Sequence, residues 1–292
     1  MRMQYWGLVA LACLSPLSAE EKPKYLDVTT VRVKPDKHAD FEALLRKAVD
    51  ANRRFKGDQW ITWATVYGTG GTYDFTSRRG SLGEVEAGNV SFERALKEAL
   101  GPAVAGMGHD FDSCIESSRS EIRRWRYEFA RNVPETTEEW MRTVGNTRWV
   151  RTTRVEVRRG KVAEFEAALP EFLDAMYRRT PKVPLMVSQT VIGGDGEGIA
   201  FQLATYFQSM ADMDAVPGNR ESMGDELYRK FEQMNGEAVI RVSSRIIRPL
   251  PELSNPPETI VSVSRDFWMP AAQPMTAARK AKKQGKPPKE AR

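Results

Sequence analysis

Cysteine and histidine are scarce in this chain of 292 residues, which contains two of each. If Cys13 is removed with an N-terminal leader, Cys114 is the only thiol left and no intrachain disulfide can form. Stability must then come from core packing. A buried apolar position is the simplest role for Cys114, and a reactive thiol is the alternative.

An excess of positive charge is also absent from most of the chain. The net charge is +5, but residues 271–292 contain seven Lys or Arg and one Glu, so the remaining residues sum to −1. The folded part therefore has no electrostatic support for binding nucleic acid, and no sequence-specific nucleic-acid partner is predicted. Residues 271–292 are predicted to be a disordered basic tail that can touch anionic surfaces.

Long hydrophobic runs are missing, because the apolar stretch at residues 5–14 is too short to span a bilayer. Arg2 precedes this stretch and Leu17-Ser18-Ala19 follows it, which is typical of a secretory signal peptide covering residues 1–19. The protein is therefore predicted to be exported, either periplasmic or secreted. A lipoprotein signal cut before Cys13 and an uncleaved anchor remain alternatives.

Several catalytic motifs are absent as well. The glycine-rich turns contain no G-x-x-x-x-G-K-[ST], and no G-x-G-x-x-G opens a helix, so nucleotide binding is not indicated. There is no G-x-S-x-G and no H-E-x-x-H.

What the chain does contain is a duplication. Segments match at an offset that drifts only from 124 to 126 residues. The matching segments are 28–33 with 152–157, 41–43 with 165–167, 66–68 with 191–193, and 117–119 with 243–245.

Each copy has the same predicted order of elements: strand, helix, a two-stranded hairpin, helix, strand. This is the ferredoxin-like arrangement. The predicted fold class is α+β, with two tandem ferredoxin-like βαββ(α)β repeats packing sheet to sheet as an intrachain α/β barrel. The predicted divisions are a first repeat at 20–125, a helical linker at 126–148, a second repeat at 149–250, a C-terminal extension at 251–270 and the basic tail at 271–292. Within the linker, residues 135–144 are predicted to be helical after Pro134. Within the extension, residues 258–267 are predicted to form an extra strand, followed by Trp268 as an anchor.

The opening Val-Thr-Thr-Val-Arg-Val, Lys37 and Phe41-Glu42, together with the element order over residues 25–250, resembles the dimeric α/β-barrel superfamily in its fused, two-repeat form. It is most similar to the antibiotic-biosynthesis-monooxygenase and NIPSNAP-like branches. The resemblance implies the fold, but this scaffold carries many chemistries and does not specify a function. It also implies that an enzyme of this kind would place a His, Asn, Asp or Trp inside the barrel.

Arginines on the polar faces of the strands are the first candidate site. If the valine faces pack on helices, Arg32 and Arg154 face into the barrel, and Arg241 lies on the corresponding face of the last strand, as do Arg119, Arg123 and Arg245. Such an interior could hold an anionic ligand. The alternative is an inter-sheet network of salt bridges with Glu116, Glu121 and Glu156.

Aromatic residues around the first hairpin are the second candidate. Trp63 and Tyr67 have aliphatic or polar counterparts in the second copy, which can indicate one cavity specialised for a flat organic ligand. Core packing is the alternative. His109, in Gly106–Cys114, is the third candidate, for a metal or haem, with an ordinary loop as the alternative.

Two functional hypotheses follow. The first is an exported small-ligand-binding or non-enzymatic envelope module that uses the barrel interior and needs no cofactor. The second is a cofactor-free or haem-linked monooxygenase. In either case the two repeats can form a pseudo-dimer within one chain, so a monomer is predicted and a homodimer stays open.

Overall fold

The computed structural model describes residues 22–180, 182–194 and 196–270. The predicted signal peptide at 1–19 and the basic tail at 271–292 lie outside these residues. Among the described residues, no helix is long and apolar enough to cross a membrane.

The first repeat forms the predicted order of elements, with two consecutive helices before its last strand. Its elements are β1 Tyr25–Val33, α1 His38–Arg54, β2 Ile61–Tyr67, β3 Thr72–Arg79, α2 Leu82–Leu100, α3 Ala103–Cys114 and β4 Ile115–Trp125. The second repeat contains β5 Trp149–Val157, α5 Val162–Tyr177, β6 Leu185–Ile192, β7 Ile199–Phe207, α6 Asn219–Ala238 and β8 Val239–Pro249.

The eight strands form one closed barrel in the order β1-β3-β2-β8-β5-β7-β6-β4. Each repeat contributes four consecutive strands, and the repeats join at two seams, β2 with β8 and β4 with β6. All of the described strand pairs are antiparallel. The predicted fold, a fused α/β barrel built from two ferredoxin-like repeats, is confirmed.

Alternation along the strands separates the outer face from the interior. On the outer face of the first repeat, Val31 and Val33 pack against Phe41, Leu45 and Val49 of α1. The second repeat packs five residues in the same way, each 124 positions later: Val155, Val157, Phe165, Leu169 and Leu173. A third apolar cluster lies on the interior side and includes Ile61, Trp63, Val150 and Ile247. Cys114 is buried in the first of these cores.

Two connecting segments close one end of the barrel. Helix α4, Thr137–Asn146, lies in the linker and begins later than predicted, because the Thr136 side chain rather than Pro134 caps it by accepting the amide N–H of Glu139. The segment predicted as an extra strand contains two short helices instead, α7 Glu258–Val261 and α8 Arg265–Trp268. Trp268 is buried against α4, as an anchor would be.

The seams lead to a prediction about half of the chain. Residues 25–125 alone would expose the edges of β2 and β4 and the whole interior face of their sheet. Unpaired edges and an uncovered face favour association with another copy. We therefore expect this fragment to self-associate or aggregate, whereas residues 20–292 stay monomeric, as measured by light scattering. A well-behaved monomeric fragment would contradict the intrachain-barrel interpretation.

Candidate ligand-binding cavity

A cavity of about 1060 Å³ extends from the barrel interior past α4 and α7 and opens between the loop at residues 57–59 and Gly80. Its apolar wall comes from alternate positions of three strands and from α4, with Trp63, Val150, Ile247 and Met141 as members. Tyr206 adds a ring on β7, packed edge-to-face on Trp140 with centroids 5.0 Å apart. Burial raises the pKa of the Tyr206 phenol, so this side chain stays neutral. The wall therefore offers aromatic surface to a flat ligand.

Another part of the cavity wall is polar. Trp125, Ser188, Gln202 and Thr152 line it from four adjacent strands. In the strand register, Trp125 pairs with Ser188, and Ser188 pairs with Gln202. Neighbours of this kind on one face of a sheet have Cβ atoms about 5 Å apart. We call these four residues the polar strip.

Asp74 and Arg245 form a partly buried ion pair at the cavity. The Nη2 of Arg245 lies 2.6 Å from Oδ2 of Asp74, and Thr30 Oγ1 donates to Oδ1 at 2.6 Å. Because both carboxylate oxygens accept hydrogen bonds, Asp74 is held in place by the barrel wall. The pair fixes the Arg245 guanidinium beside the cavity.

Glu121 occupies the centre of a second charged cluster in the barrel. Three guanidinium groups contact its carboxylate, from Arg123 at 2.7 Å, Arg154 at 2.9 Å and Arg119 at 3.3 Å. Burial acts to raise the pKa of Glu121, but the three arginines outweigh it and hold the pKa below its ordinary value. Burial lowers the pKa of Arg123, and Glu121 opposes this shift.

Two polar atoms in the polar strip are buried without a partner. Thr152 is 6% exposed and Trp125 is 9% exposed. In the part of the chain that the structure describes, neither Thr152 Oγ1 nor Trp125 Nε1 has a hydrogen-bond partner. Most buried polar groups in folded proteins are paired, so these two indicate a site where a bound molecule can supply the missing partner.

The structure brings only part of the predicted arginine site together. Arg154 lies in the interior, where it is bound to Glu121. Arg32 and Arg241 are largely exposed and lie away from the cavity, paired with Glu116 and Glu156 respectively. These three arginines each pair with a glutamate, as the alternative interpretation, a network of salt bridges, predicts. The strand face was assigned correctly, but position along the strand decides whether a side chain reaches the cavity.

Of the two predicted aromatic residues, Trp63 and Tyr67, only Trp63 lies at the cavity. Trp63 lines the cavity, and its Nε1 donates to Thr76 Oγ1 at 2.9 Å. Its role toward a ligand stays a prediction. Tyr67 lies at the far end of β2 and is 58% exposed, away from the cavity.

His109 is exposed on α3, so the loop expected there is a helix. Within residues 22–180, 182–194 and 196–270, no group of three or more His, Cys, Asp or Glu side chains is placed to hold a metal ion. His38 begins α1 with its Nδ1 3.2 Å from the Tyr73 hydroxyl, also away from the cavity.

The cavity residues do not fit a haem group. Neither histidine lines the cavity, and Cys114 is buried in an outer core. Met141 lines it, but its sulfur accepts a hydrogen bond from Arg78 Nη1 at 2.8 Å. Tyr206 is the one phenol in the lining, and its ring packs edge-to-face on Trp140. The lining therefore offers no histidine, thiolate or free thioether as an axial ligand to haem iron.

The polar residues of the cavity could not be singled out by motif. Gln202 interrupts a largely apolar strand, whereas Asp74 lies in a strand that is mostly polar. A polar residue in the middle of an apolar strand is therefore a signal for Gln202, and no local signal points to Asp74.

Comparison with known proteins identifies the fold. An anthrone oxidase-like protein is similar over 80% of this chain and 94% of its own, with a TM-score of 0.51 and 14% identity. The chlorite dismutase from Candidatus Nitrospira defluvii in complex with imidazole is similar over 83% and 96%, with a TM-score of 0.47 and 10% identity. No protein-family model matches the chain, and no curated protein does. The likeness to the anthrone oxidase-like protein shows a shared fold, an α/β barrel.

Proposed function

We propose that this protein binds a small, flat organic ligand inside the barrel and acts as a ligand-binding module of the cell envelope. The observation that carries the proposal is the interior cavity, which combines an aromatic wall with the polar strip. A volume of about 1060 Å³ is at the upper end of the range for small-molecule sites. The signal-peptide pattern at residues 1–19 supports the envelope location.

The inner wall is better equipped for binding than for proton transfer. Asp74 lines the cavity from β3, and its two oxygens accept hydrogen bonds from Thr30 and Arg245. The two contacts fix the orientation of the carboxylate in the barrel wall and leave two of its four lone-pair sites, whereas a general base must direct a lone pair at the substrate proton. No histidine lines the cavity to take that role.

Cofactor-free oxygenation is the second candidate. The observation that favours it is the fold shared with an anthrone oxidase-like protein. Oxidation of anthrone to anthraquinone consumes one O₂ and releases one water, so the reaction balances without an added reductant. A solution of anthrone with the purified protein would then consume oxygen faster than a blank that contains anthrone in buffer alone. An oxygen electrode trace equal to the blank would argue against this candidate and leave the binding proposal standing.

The binding proposal is tested with 1-anilinonaphthalene-8-sulfonate, an aromatic anion whose fluorescence rises in apolar sites. We expect residues 20–292 to bind it saturably, with partial quenching of tryptophan emission because Trp63 and Trp125 line the cavity. Ala204→Phe fills the cavity from β7 and should weaken binding at least about tenfold, through loss of the space itself.

Ala167→Phe, at an exposed position of α5, is the matched control and should bind the probe as the wild type does. If the two variants bind the probe equally well, the probe occupies another surface and the cavity proposal is wrong.

A further inference from the structure

We infer that the ligand of this cavity presents an oxygen acceptor, carried on an aromatic ring, to the polar strip. The inference rests on the proposed function and specifies its ligand class. The shared chemistry is an sp² oxygen next to the ring, in an aryl ketone or an aryl carboxylate.

The side chain of Trp125 determines the kind of partner. An indole Nε1–H can only donate a hydrogen bond, so its missing partner must be an acceptor. Trp125 lines the cavity, and its Nε1 is buried with no acceptor among the described residues. A purely apolar ligand offers no acceptor to the Trp125 Nε1–H. The cost of removing this N–H from water would then stay uncompensated.

The neighbours of Trp125 favour the same kind of ligand atom. Arg123 lies one interior position away on β4 and also carries only donors. The Nε and Nη2 atoms of Arg123 contact the Glu121 carboxylate, and its Nη1 atom takes no part in these two contacts. Gln202 and Thr152, farther along the strip, can donate from an amide and a hydroxyl. The donors on this wall thus match the two lone pairs of a carbonyl oxygen or the four of a carboxylate.

The aromatic half of the ligand follows from the apolar part of the wall. Trp63 and Tyr206 offer ring faces and edges there, beside Val150 and Ile247. A ring system would pack on this wall while its oxygen reaches the polar strip. This division into an apolar side and a few placed polar groups is usual for small-molecule sites.

The test uses three naphthalene probes of matched size. 2-Acetonaphthone carries a carbonyl oxygen, 2-isopropylnaphthalene replaces that oxygen by a methyl group, and 2-naphthoate carries a carboxylate. We expect the full mature chain to bind the ketone or the carboxylate about tenfold more tightly than the hydrocarbon, as measured by quenching of tryptophan fluorescence. A tighter carboxylate would identify an acid ligand, and a tighter ketone a neutral one.

Two variants separate recognition from structure. Trp125→Phe should lower the affinity for the oxygen-bearing probes about tenfold and leave that for the hydrocarbon nearly unchanged. Thr152→Val removes a buried hydroxyl that has no partner, so the ligand-free protein should keep or raise its Tm while its preference for oxygen falls.

Thr76→Val is the matched control, because Thr76 also lines the cavity but its hydroxyl accepts the Trp63 Nε1–H. This change should lower the Tm and leave the preference for oxygen intact. Two results would overturn the inference and leave the proposed function standing: equal binding of the hydrocarbon, or a Tm for Thr152→Val that falls as it does for Thr76→Val. If none of the three probes binds up to its solubility limit, the proposed function fails with the inference.

Discussion

Replacing Glu121 by glutamine is expected to lower the free energy of unfolding by about 3–5 kcal/mol. The Glu121 side chain is 1% exposed, and the Arg123 side chain is 7% exposed. Removing the carboxylate would leave Arg123 buried without its main counter-ion, and Arg154 and Arg119 would lose a shared partner. An unpaired charge inside a barrel is far more costly than a broken surface contact. Urea denaturation at pH 7 measures the loss.

Glu116→Gln is the matched control for this prediction. Glu116 also pairs with an arginine, at 3.1 Å from Arg32, but both side chains are more than 40% exposed. Solvent screening limits such pairs to about 1 kcal/mol or less. Equal losses for the two variants would mean that the barrel interior is hydrated around Glu121 and that the cluster is not buried in solution.

The pH dependence of stability gives the same prediction a second readout. The pKa of Glu121 is lower in the folded protein than its ordinary value of about 4.3. Ionised Glu121 therefore stabilises the folded state fully above that value, and this contribution is lost as the pH falls through the lower, folded pKa. We expect the wild type to lose more stability than Glu121→Gln between pH 7 and pH 3.

The outer cores could be predicted from the sequence because they depend on local periodicity. Val31 and Val33 alternate along a strand, and Phe41, Leu45 and Val49 recur at helical spacing. The same pattern 124 residues later gives the second core. Two such repeats joined by a short linker leave two open sheets, which meet in a closed barrel.

The cavity could be predicted only in part, because its composition depends on how the two sheets close. Alternation correctly assigned Arg32 and Arg241 to the inner face, but it gives no position along the barrel axis, and both lie near exposed strand ends. The contact of Arg154 with Glu121 joins residues of two different repeats, so no local pattern contains it. Trp63 was predicted because aromatic residues concentrate around its hairpin.

The C-terminal extension shows how tertiary structure can override a local pattern. Residues 258–267 alternate as a strand would, yet they form helices α7 and α8. A closed barrel has no free edge with which another strand could pair. The segment instead buries its apolar side chains against α4, where Ile260 and Val261 join the interior cluster.

That packing leads to the last prediction: Trp268→Ala should lower the free energy of unfolding by about 3–5 kcal/mol. Trp268 is fully buried, and its Nε1 donates to the carbonyl oxygen of Gly145 at 2.9 Å. The close approach depends on glycine at position 145, where a Cβ atom would lie 2.7 Å from Cβ of Val263. Removing the indole would leave a cavity beneath the segment and take away one of the two donors to the Gly145 carbonyl, which also accepts from Arg148 Nη1 at 3.0 Å. Thermal or urea denaturation measures the loss.

Met269→Ala, one residue further on and 41% exposed, is the control for Trp268→Ala and should change stability by less than about 0.5 kcal/mol. Because α4 and α7 both line the cavity, Trp268→Ala should also weaken binding of 1-anilinonaphthalene-8-sulfonate, by loosening the end of the barrel that these helices close. If Trp268→Ala is no less stable than Met269→Ala, the extension does not pack on α4 in solution. In that case the covered end of the cavity would be open.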